Sequence, residues 1–196
     1  MTFGLPVGAH GASPDRSIVV LGDSLSAAYG IAQARGWVAL LAERLQREPP
    51  HYSVVNASIS GETTSGGAAR IARVLEQHRP AIVIVQLGGN DGLRGLPVAQ
   101  MKANLATIIE RSQKAGARVL LVGMRIPPNY GPDYADAFEA AFAELAKRYR
   151  VPLAPFLLED LVEKPELFQA DRIHPTESAQ PFLLERIWTA LRPMLK

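Results

Sequence analysis

The sequence predicts an α/β fold, with a mostly parallel five-stranded sheet covered by helices on both faces. Three observations carry that expectation. Short apolar runs alternate along the chain with segments whose apolar residues recur at helical spacing. The strongest run, AIVIVQLG at 81–88, is apolar at nearly every position, as a strand buried on both faces must be. Polar, glycine-rich segments follow the strands on one side, the edge where open α/β sheets bind ligands, while the opposite connections, EPPHY and KAGA, are plain.

In chain order, SIVVLG at 17–22 reads as a buried strand, and Asp23-Ser24 stops it at once. GWVALLAERLQRE at 36–48 has helical spacing. SVVNAS at 53–58 is a short strand, TSGGAARIARVLEQH at 64–78 a helix and 81–88 the central strand. The helix at 97–116 ends on Gly116, a usual helix stop. RVLLVGM at 118–124 is a strand, 133–150 a helix and VPLAPF at 151–156 the last strand. The segment 176–195 closes as a helix, with Thr176 as its expected N-cap and Pro181 early in it. No repeat or low-complexity run interrupts the alternation, so 17–196 is read as one domain.

Composition narrows the function classes. With 196 residues and 47% hydrophobic content the chain can bury a real core. Lys and Arg exceed Asp and Glu only 21 to 19 and form no basic block, so nothing points to nucleic acid. The absence of cysteine excludes disulfides, zinc–thiolate sites and a cysteine nucleophile. No apolar run is long enough to span a membrane. Residues 1–16, MTFGLPVGAHGASPDR, read as a flexible tail. Within them GAHGA has small residues at the spacing of a signal-cleavage site, so the tail is equally readable as the remnant of an export signal or of an expression leader.

A serine hydroxyl attacks at neutral pH only with a general base, a group that orients that base, and donors for the oxyanion. The strand-end segments supply each. Ser24 is the candidate nucleophile; a helix beginning just after it would aim its positive end at the site. His174 is the candidate base and Asp171, three residues earlier, its orienting carboxylate. The Asn90 amide and the bare N–H of Gly61 join the Ser24 N–H as oxyanion donors. Each residue also has a local reading. Ser24 caps a helix, the Asp-x-x-His segment makes a surface turn, GGND at 88–91 makes a turn, and Ser60 caps the helix that follows. Asp23 and Asp91 read as turn formers. His10, His51 and His78 read as solvated, and no two histidines have metal-ligand spacing. What the local readings leave unexplained is why Ser, Gly, Asn and Asp/His all fall on one sheet edge.

GDSLS, the glycine of NASISGET, GGND and DRIHP together resemble the four blocks of the SGNH, or GDSL, hydrolases, in order and spacing from about residue 17 to the end. The strings VVNASISGET, LGGNDGLRGLP and GMRIPPNYG are similar to the bacterial branch of multifunctional thioesterases, lysophospholipases and arylesterases, commonly exported to the periplasm. The resemblance implies a flavodoxin-like three-layer α/β/α sandwich. It implies Ser24, Asp171 and His174 as the triad, Ser24, Gly61 and Asn90 as the oxyanion hole, and no metal or cofactor. It implies a segment DGLRGLP at 91–97 that moves on substrate binding, and MRIPPNYG as part of the acyl site. Two positions depart from the pattern. Ala28 and Arg172 stand where glycine is common, Ala28 near the expected start of the first helix and Arg172 expected to point to solvent.

The expected reaction is hydrolysis of carboxylic esters and thioesters through an acyl-enzyme, with a small-molecule ester as the partner. Leu93, Leu96, Pro97, Ile126, Pro127, Pro128 and Tyr130 lie in the loops beyond the strand ends, either as an apolar acyl groove or as loop anchors. Arg94 and Arg125 read as solvated, or as contacts for an anionic leaving group. Two alternatives stay open. One is a carbohydrate acetylesterase of the same superfamily. The other is a non-catalytic lipid- or nucleotide-binding module, for which the first βα turn lacks the G-x-G-x-x-G of a dinucleotide site.

Overall fold

The computed structural model describes residues 16–196. The expected tail, with its export-signal reading, lies outside the described residues except for Arg16. Five strands form one sheet: β1 (Ser17–Gly22), β2 (Ser53–Asn56), β3 (Ile82–Gln86), β4 (Arg118–Val122) and β5 (Leu153–Ala154). Their order is β2-β1-β3-β4-β5 and each pair is parallel, the expected flavodoxin-like arrangement. Among the described residues six α-helices accompany them: α1 (Trp37–Arg47), α2 (Thr64–His78), α3 (Gly89–Leu93), α4 (Val98–Lys114), α5 (Pro132–Tyr149) and α6 (Gln180–Leu191). One face packs α1 against α6, and the other packs α2, α4 and α5 in succession.

The central strands explain why the alternation was readable. Ile18 to Leu21 of β1 and Ile82 to Val85 of β3 are wholly buried. A side chain of that size contributes roughly 1.5–3 kcal/mol when buried, so a polar residue on either face would be costly. Gln86 is the exception, fully buried at the end of β3, and its amide is used below.

The strands end sooner than the apolar runs do, for local reasons. The side chain of Asn56 ends β2 by donating to the Ser26 carbonyl (2.7 Å) and accepting from Ser58 N–H (3.1 Å). β5 is two residues long because Pro152 and Pro155 flank it and lack the N–H a ladder needs. Thr176 does not cap α6. A 3₁₀ turn at Glu177–Ala179 intervenes, and the Thr176 hydroxyl donates to Leu167 O at 3.1 Å. Ser60 does not cap α2 either. Asp91 does this from 27 residues away, accepting Thr64 N–H on Oδ2 (2.8 Å) and the Thr64 hydroxyl on Oδ1 (2.6 Å).

Candidate active site

The chain passes from β1 to β2 on one side and then to β3 on the other, so helices leave β1 and β3 in different directions. That opens a crevice at the carboxyl ends of these two strands. Ser24 follows β1 and Asn90 follows β3, one on each side of it. No helix begins after Ser24. Residues 24–30 are successive turns, and the first α-helix waits until Trp37. The Asp23 carboxylate accepts Leu25 N–H (3.1 Å) and its carbonyl accepts Ala27 N–H (2.9 Å). Ala28, at φ +59°, then reverses the chain. The helix-end charge expected at Ser24 is therefore absent, since a macrodipole needs aligned turns.

The C-terminal loop brings the candidate base, His174, to this serine. His174 Nε2 lies 2.9 Å from Ser24 Oγ, across 150 positions of sequence. His174 Nδ1 lies 2.7 Å from Asp171 Oδ2. The other oxygen of Asp171 accepts the backbone N–H groups of Ile173 (2.9 Å) and His174 (3.0 Å). These N–H groups and the imidazole hold the Asp171 carboxyl down at about 2, so it is ionised whenever the histidine must be oriented. The Tyr29 ring covers the imidazole, with centroids 4.5 Å apart. Gln169 fastens the two loops, its Nε2 donating to Tyr29 O (2.8 Å) and Pro175 O (3.0 Å).

Asn90 Nδ2 donates to the Glu62 carbonyl at 3.0 Å. Its second hydrogen faces Asp23 Oδ2 at 3.5 Å, a weak contact that an oxyanion can replace. Among the described residues the N–H groups of Ser24 and Gly61 donate to no protein acceptor. Gly61 sits at φ +79°, the left-handed region that favours glycine. Asp23 is more than a turn former. It is 2% exposed, and its Oδ1 also accepts Gln86 Nε2 at 3.0 Å. Burial pushes its carboxyl up to about 6, while the Gln86 amide and Leu25 N–H pull the other way. Gln86 in turn accepts the Ser26 hydroxyl (2.5 Å), so one buried amide braces the serine turn and the carboxylate beside Asn90. Among the described residues no group of three or more His, Asp or Glu side chains is placed to hold a metal ion.

A groove of about 670 Å³ runs from Ser24, Asn90 and His174. Of the residues expected in an acyl site, Leu93, Ile126 and Pro127 line it. Leu96, Pro97 and Tyr130 do not, and Gly61 also stands outside the lining. Tyr130 acts as an anchor instead, its hydroxyl donating to Leu93 O (2.8 Å), while the Tyr134 hydroxyl donates to Leu96 O (2.6 Å). The segment 91–97 is further tied by Arg94 Nη2, which donates to Gly61 O at 3.0 Å. The side chain of Pro128 lies outside the described residues. Met124 of the MRIPPNYG segment and Ile173 of DRIHP also line the groove, and much of the remaining wall comes from residues no motif contained: Phe156, Leu158, Val162 and Phe168. All four follow the short β5, in the connection that leads to Asp171.

A family model described as the GDSL-like lipase/acylhydrolase family matches residues 20–180, a span that holds all of these groups. The chain belongs to this family. Among GDSL-like proteins it is 48% identical over 180 residues to esterase TesA of Pseudomonas aeruginosa, covering 92% of this chain and 90% of that one. It is 44% identical over 179 residues to thioesterase 1/protease 1/lysophospholipase L1 of Escherichia coli, covering 91% and 85%. The crystal structure of the psychrotrophic esterase EstA from Pseudoalteromonas sp., inhibited by monoethylphosphonate, superposes with a TM-score of 0.88. It is 40% identical and covers 92% of this chain and 98% of that one. Both departures from the GDSL-like pattern sit in left-handed backbone, Ala28 at φ +59° and Arg172 at φ +57°. There a side chain costs about 1–2 kcal/mol that glycine avoids. Ala28 is buried, and its methyl group lies 2.8 Å from where a Cβ on Gly36 would stand.

Proposed function

We propose that the protein hydrolyses carboxylic esters and thioesters, with aryl, acyl-chain and lysophospholipid esters as its substrate range, through an acyl-enzyme on Ser24. The observation that carries this reading is the 2.9 Å contact between Ser24 Oγ and His174 Nε2, with Asp171 behind the imidazole. His174 takes the serine proton as Oγ attacks the carbonyl carbon. The oxyanion is met by the N–H groups of Ser24 and Gly61 and by Asn90 Nδ2. His174 then protonates the leaving alcohol or thiol. Water attacks the acyl-enzyme with the same histidine as base, and the acid departs. The apolar walls of the groove support an acyl chain or aryl ring over a sugar.

Hydrolysis of p-nitrophenyl esters from acetate to palmitate, run beside Ser24→Ala, tests the reading. Turnover by the wild type and none by a folded Ser24→Ala is the expected result, and the chain-length optimum reports how much of the groove the acyl group fills. Equal turnover by both proteins would remove Ser24 from the mechanism. The proposal extends to export to the periplasm or beyond, supported by the resemblance to an exported branch; fractionation of cells making the full chain tests it.

A further inference from the structure

Arg172 stands between the two triad residues of the C-terminal loop and lines the groove beside Ile173 and His174. It is exposed, as expected, but its surroundings are unusual. Among the described residues its guanidinium has no hydrogen-bond or ion-pair partner. Asp171, its neighbour, is already engaged by His174 and two backbone N–H groups. The other two cations of this region are occupied. Arg125 pairs with Glu139 (2.7 Å) and Glu159 (2.6 Å), and Arg94 is bonded to Gly61 O. The chain thus carries an unmatched cation on a wall that is otherwise largely apolar, at a backbone angle that favours glycine.

We infer that Arg172 is a specificity-determining residue, whose guanidinium selects esters bearing a carboxylate or phosphate on the leaving group. This rests on the ester-hydrolase reading above. The side of the substrate follows from the chemistry. His174 Nε2 must reach the leaving atom to protonate it, so the leaving group passes beside the 171–174 loop. An anion departing there meets the negative charge of Asp171, and Arg172 is the cation placed to offset it. Guanidinium suits both anions because its paired N–H groups match two oxygens at once.

The test compares butyrate esters of three phenols: methyl 4-hydroxybenzoate, 4-hydroxybenzoate and 4-hydroxyphenyl phosphate. The fourth substrate, phenyl hydrogen glutarate, carries its charge on the acyl side. Wild type is run beside Arg172→Gly, which relieves the backbone, and Arg172→Gln, which keeps the bulk. In both variants the ratio of kcat/KM on the two esters with anionic leaving groups to that on the neutral ester falls about five-fold, the scale of an exposed ion pair. The wild-type preference shrinks in about 0.5 M salt, where such charges are screened. The carboxylate and phosphate arms distinguish which anion is favoured. An unchanged ratio of anionic to neutral substrates overturns the proposal. So does an equal loss on all four, which would make Arg172 a loop-shaping residue, or a loss confined to the glutarate, which would put the anion on the acyl side. If the wild type hydrolyses no neutral ester, it is the ester-hydrolase reading that fails.

Discussion

Replacing Asp23 by asparagine separates two roles that one buried carboxylate combines. The carboxyl titrates at about 6 in the fold against 3.8 when unperturbed, chiefly because burial disfavours the ion. Below 3.8 both folded and unfolded chains hold the proton, and this group adds no pH dependence. As pH rises, the unfolded chain ionises first, so stability falls, and the loss is complete above about 6. At about 1.4 kcal/mol per unit the full penalty is about 3 kcal/mol. About 2 kcal/mol of that develops between about pH 4.5 and about pH 8. The amide introduced by Asp23→Asn would keep an acceptor for Leu25 N–H and Gln86 Nε2, but would turn an NH₂ toward Asn90 Nδ2, where Asp23 Oδ2 now stands at 3.5 Å. Losing that weak bond costs about 1 kcal/mol. The variant should therefore match the wild type near pH 4.5 and exceed it by about 2 kcal/mol near pH 8. Urea unfolding of both proteins at the two pH values measures this. Turnover should fall, because Asn90 loses an acceptor that helps aim it. A stability difference that is the same at both pH values would refute the elevated carboxyl and the reasoning built on it.

The remaining predictions concern the same framework. Asn90→Ala should lower kcat by about 10²–10³ while the protein stays folded, and near-normal kcat would remove Asn90 from the oxyanion hole. Asp171→Asn should lower kcat by about 10⁴, because an amide facing Nδ1 favours the wrong imidazole tautomer; steady-state rates at neutral pH check it. Gln169→Leu should leave the carbonyls of Tyr29 and Pro175 without their donor, lowering stability by about 1–3 kcal/mol. It should lower kcat more than it raises KM, which separates loop docking from substrate binding. Gly36→Ala should destabilise by about 1–3 kcal/mol by driving a methyl into Ala28, and Ala28→Gly should restore it in the double variant. Thermal unfolding of the four proteins reads the coupling, and additive effects would mean the two positions do not meet.

The sheet was legible because β1, β3 and β4 are covered on both faces, which writes their length into the sequence as apolar runs. Helix spacing did the same for α1, α2, α4 and α5. The turn after Ser24 was not legible. Nothing in SLSAAYG marks the left-handed angle of Ala28 that keeps a helix from forming, and the run of small residues invites one. At the candidate site, Ser24, Gly61, Asn90, Asp171 and His174 stood out because the residue types that acyl transfer needs fall together in the segments after the strands. The side chains that aim them did not. Gln86 reaches Asp23 across 63 positions, Asp91 reaches Thr64 across 27, and Gln169 reaches Tyr29 across 140. Such bonds leave no period and no composition bias, so only the folded structure reveals them.

Asp171 and His174 come as a unit. Their mutual contact, and the two N–H bonds that steady the carboxylate, lie within four consecutive residues and can form before the rest of the chain is in place. Joining His174 to Ser24 is different, because it closes a loop of 150 positions between the first strand and the C-terminal segment. Esterase activity should thus work as a clock on folding. During refolding, circular dichroism would report the sheet and helices, while turnover would report only the final docking of the 169–176 loop. The lag between the two signals times that step, and a change that loosens the loop should lengthen the lag without slowing formation of the sheet.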